Sequence, residues 1–328
     1  MAAGDPAPAK QPLTPPPGAS VVEGSVSSDS ATVAAPDDSQ ELPVVRAQRP
    51  GDMVDDRYCL LSEIGRGGMG VVFLAEDVRL KRRVAIKFLR TQATETDMHR
   101  FFREAQLLAS LSHPHVVSVF DLGQLDGRPY FVMEYLQGQT LADVLADNPE
   151  GLPVDVALGF GRQLCEALSA VHQQGIIHRD IKPGNVVVNG RSTAVLMDFG
   201  LARKEVSARE RGLVSGTPQY LAPEDIRGQP LEGDEARRSD IYALGVTLYE
   251  LIAGRPPFTD DNTAVVLHRQ LHDPPTPLCD LRPDVPAAFE RVIMRALEKD
   301  PAARQGTCNE LVVELARARD AVVRAGRI

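Results

Sequence analysis

The chain has 328 residues, of which 43% are hydrophobic and 25% are charged, a composition typical of globular proteins. Its net charge of −9 argues against a nucleic-acid-binding protein, because such proteins use cations to contact phosphates. No apolar run reaches the roughly 20 residues of a membrane helix and the start lacks a signal-peptide core, so we expect no membrane segment in the chain as given and a cytoplasmic location.

Residues 1–50 are rich in Pro, Ala, Ser and Asp and contain no aromatic residue. Such a segment buries too little apolar surface to offset the entropy lost on ordering, so we predict a disordered tail. The sequence does not decide whether this tail is passive or serves as a linker, a regulatory segment or a docking segment.

The next part of the chain alternates apolar and polar residues, which predicts β-strands. One stretch has apolar residues at helical spacing, which predicts an amphipathic helix over 97–110. The pattern therefore predicts a small lobe, residues 57–136, with one main helix and five antiparallel strands at 57–65, 69–77, 83–89, 115–122 and 129–134.

After Gly138 the pattern becomes mainly helical. Residues 239–253 are apolar almost all round, which predicts a buried helix. Short strands are expected at 186–188 and 194–197. We predict a larger helical lobe over 137–322, and hence an α+β fold, with further helices at 154–173, 261–271, 286–298 and 307–324.

The cysteines Cys59, Cys165, Cys279 and Cys308 form no CxxC pair, which favours structural thiols in a reducing compartment over a zinc or redox site.

The rest of the chain is organised around residues 178–185, HRDIKPGN, which place a carboxylate, an ammonium and a carboxamide in one short loop. DFG follows at 198–200. Upstream lie the glycine loop GRGGMG at 65–70 and the lysine of VAIK at 84–87, and APE lies downstream at 222–224. All of these motifs in this order form the protein-kinase signature set.

The glycine loop alone is a weak signal, because GxGxxG also fits a dinucleotide-binding turn. In that turn the glycines begin a helix, whereas here residues 71–74 predict a strand. Glycine lets the backbone approach phosphate oxygens without a Cβ in the way. A hairpin that merely contains glycines is the alternative interpretation.

Lys87 lies in an otherwise apolar strand, and an unpaired buried charge is costly. The nearest candidate partner is Glu104 on the following helix. A paired Lys87 is suited to hold α- and β-phosphate oxygens; a surface lysine on an edge strand is the alternative.

The loop at 178–185 carries the groups that phosphoryl transfer needs, which are mostly positioning and charge-neutralising groups. We assign Asp180 as the catalytic base and Lys182 as the cation beside the γ-phosphate. Asn185 and Asp198 offer oxygen ligands that suit Mg²⁺ (or Mn²⁺). We expect His178 to pack and hydrogen-bond without a catalytic role.

From about residue 57 to 319 the chain resembles the eukaryotic-like protein kinases, and most closely the bacterial (Hanks-type) serine/threonine kinases. The resemblance implies a two-lobed protein kinase fold with ATP between the lobes. It also implies transfer of the γ-phosphate to Ser or Thr of proteins, including the chain itself, in bacterial signalling. The sequence leaves open whether the chain forms a homodimer, as some relatives do through the small lobe.

The resemblance also implies the nucleotide-binding residues. Adenine is expected to lie against Val72, Ala85 and Val187, and to hydrogen-bond the backbone of the linker at Glu134 and Leu136. Met133 matches the gatekeeper position. The full expected set is Ile64, Gly65, Arg66, Gly67, Gly68, Met69, Gly70, Val72, Ala85, Lys87, Glu104, Met133, Glu134, Leu136 and Val187.

Other residues match structural positions of the family. Thr217 matches a threonine that bonds the catalytic Asp and Lys, Glu224 is expected to pair with Arg304, and Asp240 is expected to brace the backbone of the catalytic loop. The 231–236 loop is a few residues longer than usual.

Arg179 beside the catalytic Asp implies an anion in the active state, often a phosphate on the activation loop. Residues 202–216 offer Ser207 and Ser215 and no threonine, where many relatives carry threonines. The site of phosphorylation therefore stays open, with the acids Glu205 and Glu210 as partial substitutes.

Two other classes compete with an active protein kinase. A pseudokinase would bind nucleotide or act as a scaffold, but it usually lacks Lys87, Asp180 or Asp198. A small-molecule kinase would have a related fold, but the 216–224 segment is typical of the peptide-binding ledge of protein kinases.

Overall fold

In the computed structural model the small lobe contains an antiparallel sheet of six strands, β1 (Met53–Val54), β2 (Tyr58–Gly67), β3 (Gly70–Asp77), β4 (Arg82–Leu89), β5 (Val119–Leu125) and β6 (Arg128–Glu134). Their order in the sheet is β1-β2-β3-β4-β6-β5. The model describes residues 48–67, 70–89, 102–103, 105–190, 192–199, 217–229, 231, 233 and 235–324.

Alternation of apolar residues explains why these strands form. In β3, Val71, Phe73 and Ala75 are buried and the residues between them are less so. The central strand β4 is buried without a break from Val84 to Leu89 because both of its faces are covered. Alternate β4 residues pack into two separate apolar clusters, one of which includes the helical residues Ala105 and Leu108.

The sheet departs from the prediction at two places. The short edge strand β1 lies ahead of the predicted start at residue 57 and makes the sheet six-stranded. The predicted strand 115–122 begins only at Val119, because residues 115–117 pair with the larger lobe instead. Leu196 N–H donates to the carbonyl of His115 at 2.9 Å, and Val117 N–H donates to the carbonyl of Leu196 at 3.0 Å.

The larger lobe is built on helices α1 (Leu141–Ala146), α2 (Val154–Gln173), α3 (Pro223–Arg227), α4 (Arg237–Ala253), α5 (Thr263–His272), α6 (Leu278–Leu281), α7 (Ala287–Ala296) and α8 (Cys308–Arg324). A second antiparallel sheet holds β7 (Gln139–Thr140), β8 (Val186–Val188) and β9 (Ala194–Leu196). Helix α4 is buried at 13 of its 17 residues, which confirms the predicted buried helix. It packs against α2 and α7 and forms the centre of the lobe.

Several predicted features lie outside the described residues. The helix predicted at 97–110 is described at 102–103 and 105–110, of which 102–103 and 105–109 are helical and Ser110 is a turn. Within the part of the chain that the structure describes, no helix combines the length and apolarity that crossing a membrane requires. The predictions that fall on undescribed residues concern the tail up to residue 47, Gly68, Met69, Glu104, Gly200, Glu205, Ser207, Glu210, Ser215, Glu232 and Asp234.

Candidate active site

Asp240 holds the backbone of the catalytic loop from the centre of the larger lobe. Its side chain is fully buried in α4 and accepts hydrogen bonds from the backbone N–H of His178 at 2.9 Å and of Arg179 at 2.8 Å. The ring of His172, in α2, also bonds Asp240 at 2.7 Å. Burial by itself raises the pKa of the Asp240 carboxyl, but these hydrogen bonds outweigh it and the pKa lies below its usual value. The predicted brace is therefore confirmed, and His172 is a member of it that the sequence did not reveal.

His178 is buried and packs as predicted. Its Nδ1 accepts from the backbone N–H of Asp180 at 3.2 Å, so the ring proton lies on Nε2, which donates to the carbonyl of Met197 at 3.1 Å. The ring lies 4.5 Å from that of Phe199. Burial lowers the pKa of His178, so the imidazole is neutral at pH 7. A neutral ring with both nitrogens bonded orients the loop and the DFG segment together.

The structure brings the predicted catalytic side chains together. Lys182 Nζ donates to Asp180 Oδ2 and to Thr217 Oγ1, each at 3.0 Å. Asn185 Nδ2 donates to Asp180 Oδ2 at 2.8 Å and to the Asp180 carbonyl at 2.7 Å. The predicted contact of Thr217 with Lys182 is confirmed. Asp180 is thus held as an ionised acceptor by a cation and an amide.

Lys87 and Asp198 form an ion pair, with Nζ and Oδ1 2.9 Å apart. The Lys87 side chain is 7% exposed, and strand β4 carries it into the cleft from the small lobe. Asp198 has a positive φ of 58°, a left-handed conformation that is rare outside glycine. Because Glu104 lies outside the described residues, its pairing with Lys87 stays a prediction.

Strand register brings the glycine loop to Lys87. Val72 pairs with Gly65 on one side and with Lys87 on the other. A Cβ on Gly70 would lie 2.0 Å from the carbonyl oxygen of Phe88, so this glycine is required by the packing of β3 on β4. A Cβ on Gly67 would meet none of the described atoms within 4 Å, and one on Gly65 would make only ordinary contacts. Protein packing therefore leaves room above Gly65 and Gly67 for a phosphate-bearing ligand.

The linker residues lie beside a cavity of about 860 Å³ whose lining includes Glu134, Leu136 and Val187. The backbone N–H of Glu134 donates to the carbonyl of Ser118 at 2.9 Å. Strand register places Ala85 opposite Met133. The lining includes neither Val72, Ala85 and Met133 nor Lys87 and Asp198, so this cavity does not coincide with the predicted nucleotide site.

Asn185 and Asp198 fit a magnesium ion by the chemistry of their donor atoms. The amide nitrogen of Asn185 is used by Asp180, which leaves its amide oxygen as the metal-ligating atom. No cluster of three or more His, Cys, Asp or Glu among the described residues is suited to hold a metal by itself. That fits Mg²⁺, which usually takes one or two protein ligands and completes its shell with phosphate and water oxygens.

Glu224 and Arg304 form the predicted pair, with two hydrogen bonds of 2.7 and 2.8 Å between fully buried side chains. Ser239 Oγ adds a third bond to Glu224 at 3.0 Å. The pair ties α3, which follows residues 217–220, to the segment before α8. Its role is structural, as the sequence predicted.

Residues 58–314 match the family model for the protein kinase domain, and the chain belongs to that family. It is 39% identical over 290 residues to a probable serine/threonine-protein kinase of Corynebacterium efficiens, covering 84% of this chain and 43% of that protein. It is 39% identical over 274 residues to the serine/threonine-protein kinase PknB of Mycobacterium tuberculosis, covering 80% and 43%. The chain thus spans less than half the length of these relatives.

The same fold is found among solved structures. The Mycobacterium tuberculosis PknI kinase domain superposes with a TM-score of 0.67 at 32% identity, covering 83% of this chain and all of that domain. The predicted two-lobed kinase fold and the predicted family are both confirmed.

Proposed function

We propose that this chain is an ATP-dependent protein serine/threonine kinase that acts in bacterial signalling and also phosphorylates itself. The observation that carries the proposal is the hydrogen-bonded set of Asp180, Lys182, Asn185 and Thr217. The segment that leads to Asp198, the partner of Lys87, is joined to this set because Met197 N–H donates to the Asn185 carbonyl at 2.9 Å. Under this proposal its partners are ATP, protein substrates and a second copy of itself during autophosphorylation, and not nucleic acid. The location is cytoplasmic.

The reaction assigns one task to each side chain. Asp180 orients the acceptor hydroxyl and takes its proton as the oxygen bonds the γ-phosphorus and the bond to the β,γ-bridging oxygen breaks, releasing ADP. Lys182 neutralises charge that develops on the transferred group. Lys87 pairs with Asp198 in this structure and holds the α- and β-phosphate oxygens when the nucleotide binds. Asn185 and Asp198 would hold a Mg²⁺ (or Mn²⁺) ion, which would supply further charge neutralisation.

The domain division belongs to the same proposal. Residues 57–136 form the nucleotide-covering small lobe and residues 137–322 form the lobe that carries the catalytic loop. The disordered tail predicted over residues 1–50 lies outside the described residues up to residue 47.

Phosphate transfer from labelled ATP with Mg²⁺ to a basic acceptor protein tests the function. We expect label on Ser and Thr with the wild type, and a loss of at least about 100-fold with Asp180→Asn, since general-base catalysis contributes about 10²–10⁴-fold. Asp155→Asn, at an exposed position in the first turn of α2, is the matched control and keeps full activity. Binding of ATP without any label would contradict the proposal and favour the pseudokinase.

A further inference from the structure

Gln270 is a fully buried glutamine in the last turn of α5 whose side chain is bonded at both ends. Its Oε1 accepts from the hydroxyl of Tyr242 in α4. Its Nε2 donates to the backbone carbonyl of Gln219, with a longer contact of 3.5 Å to that of Pro218. The amide therefore joins the central helix to residues 217–220, which we call the substrate ledge.

The substrate ledge reaches the catalytic loop at its other end. Thr217 Oγ1 accepts a hydrogen bond from Lys182 Nζ at 3.0 Å, and Lys182 in turn bonds Asp180. The backbone of the ledge thus connects two anchored points: Thr217, bonded to Lys182, and the Gln219 carbonyl, bonded to Gln270.

The backbone of Gln270 is held as firmly as its side chain. Lys299 Nζ donates to the Gln270 carbonyl at 2.8 Å, and its ammonium lies 4.2 Å from the centre of the Phe258 ring. Because the Gln270 side chain is fixed at its backbone and at Oε1, its Nε2 has one position. The Gln219 carbonyl keeps this hydrogen bond only if the ledge places it within reach of Nε2.

We propose that Gln270 is a positioning residue for phosphate transfer, whose amide holds the substrate ledge in register with Lys182 and so controls affinity for the protein acceptor. The inference rests on the proposed kinase activity. Without Nε2, the Gln219 carbonyl would lose this donor, and a lost hydrogen bond is costly, so the ledge would shift. The residues predicted to contact ATP do not include 217–220, so ATP would bind as before.

Gln270→Met keeps the length and volume of the side chain and removes both hydrogen bonds. Gln305→Met is the matched control, because Gln305 is also fully buried and donates to Val292 O at 3.1 Å and Glu314 Oε2 at 2.8 Å, away from the ledge. We expect Gln270→Met to raise KM for an acceptor peptide about tenfold, equivalent to about 1.4 kcal/mol, and KM for ATP less than about twofold. An equal rise in both KM values, or the same selectivity in Gln305→Met, would overturn the inference.

Hydrogen exchange at the amides of Tyr220 and Leu221 tests the same idea without turnover. We expect faster exchange in Gln270→Met than in the wild type and no change in Gln305→Met. If Gln270→Met does not fold, Tyr242→Phe replaces it, because it keeps the packed ring but removes the hydroxyl that fixes Oε1, and faster exchange in the ledge is again expected. Unchanged hydrogen exchange at Tyr220 and Leu221 in the variant would contradict the positioning role of Gln270. Absence of phosphate transfer by the wild type would contradict only the proposed kinase activity.

Discussion

At the scale of single residues, the buried charged side chains among the described residues are held by specific partners. Arg304 is fully buried, and besides Glu224 it donates to the carbonyls of Glu298 at 2.7 Å and Arg238 at 2.9 Å. Its guanidinium also lies 4.7 Å from the centre of the Tyr242 ring. A pair satisfied in this way tolerates burial, but neither partner can be removed alone without leaving an uncompensated charge.

Arg304→Met should therefore lower the free energy of unfolding by about 3–5 kcal/mol, because Glu224 would remain buried and lose its cation. Urea unfolding followed by circular dichroism measures this. Arg319→Met, at a side chain that is 69% exposed, serves as the control and should change stability by less than about 0.5 kcal/mol. Similar stability of the two variants would contradict the assigned role of the pair.

His178 should make stability fall as the solution becomes acidic. Its pKa in the folded protein lies below the ordinary 6.5 because of burial, so between these two values the unfolded chain binds more protons than the folded one. The contribution of neutral His178 to the free energy of unfolding is fully present above pH 6.5. It is lost as pH falls from 6.5 through the pKa of His178 in the folded protein. His178→Phe should be less stable at pH 7 and should show a shallower fall between pH 7 and 5. Parallel pH curves would show that this histidine does not titrate on unfolding.

At the scale of elements, the hairpin of β2 and β3 uses its glycines for two different purposes. Gly70 is needed where two strands approach each other, whereas a Cβ on Gly67 would meet no atom of the described residues within 4 Å. The GxGxxG spacing treats both positions alike, and only the packed sheet separates them.

Gly70→Ala should destabilise the small lobe, because the new Cβ overlaps the Phe88 carbonyl and overpacking costs about 1–3 kcal/mol. Gly67→Ala should leave stability unchanged to within about 0.5 kcal/mol and instead weaken ATP binding. Thermal unfolding and nucleotide titration of both variants distinguish these effects. Equal Tm values would contradict the packing argument for Gly70.

At the scale of the whole molecule, the candidate site is assembled from both lobes. The Lys87–Asp198 pair joins strand β4 to the DFG segment, and the backbone bonds of residues 115–118 connect β9 on one side and β6 on the other. A ligand that engages Lys87 and Asp198 therefore contacts both lobes and should stabilise the fold as a unit.

ATP with Mg²⁺ should raise Tm, because a ligand present at 100 times its Kd stabilises the folded state by about 2.7 kcal/mol. Part of this gain should disappear when EDTA removes the metal. In Asp198→Asn the EDTA-sensitive part should be much smaller, while Asp155→Asn should behave as the wild type. An EDTA effect of full size in Asp198→Asn would show that the metal binds elsewhere.

The sequence by itself determined the family, the set of candidate catalytic residues and most of the helices, because these depend on local spacing. Helix α2 begins and ends at the predicted residues 154 and 173, and Asp180, Lys182 and Asn185 lie within six positions of one another. Residues separated by only a few positions along the chain can adopt few relative positions in space.

Tertiary structure decided the features that depend on residues far apart in sequence. Strand β5 begins late because residues 115–117 pair with Leu196, some 80 positions away. His172 joins the Asp240 brace across 68 positions, and Gln270 reaches the substrate ledge across 51. No local period encodes these contacts. They arise only when the packing of α4 against its neighbours brings the partners together and burial makes each unpaired polar group costly.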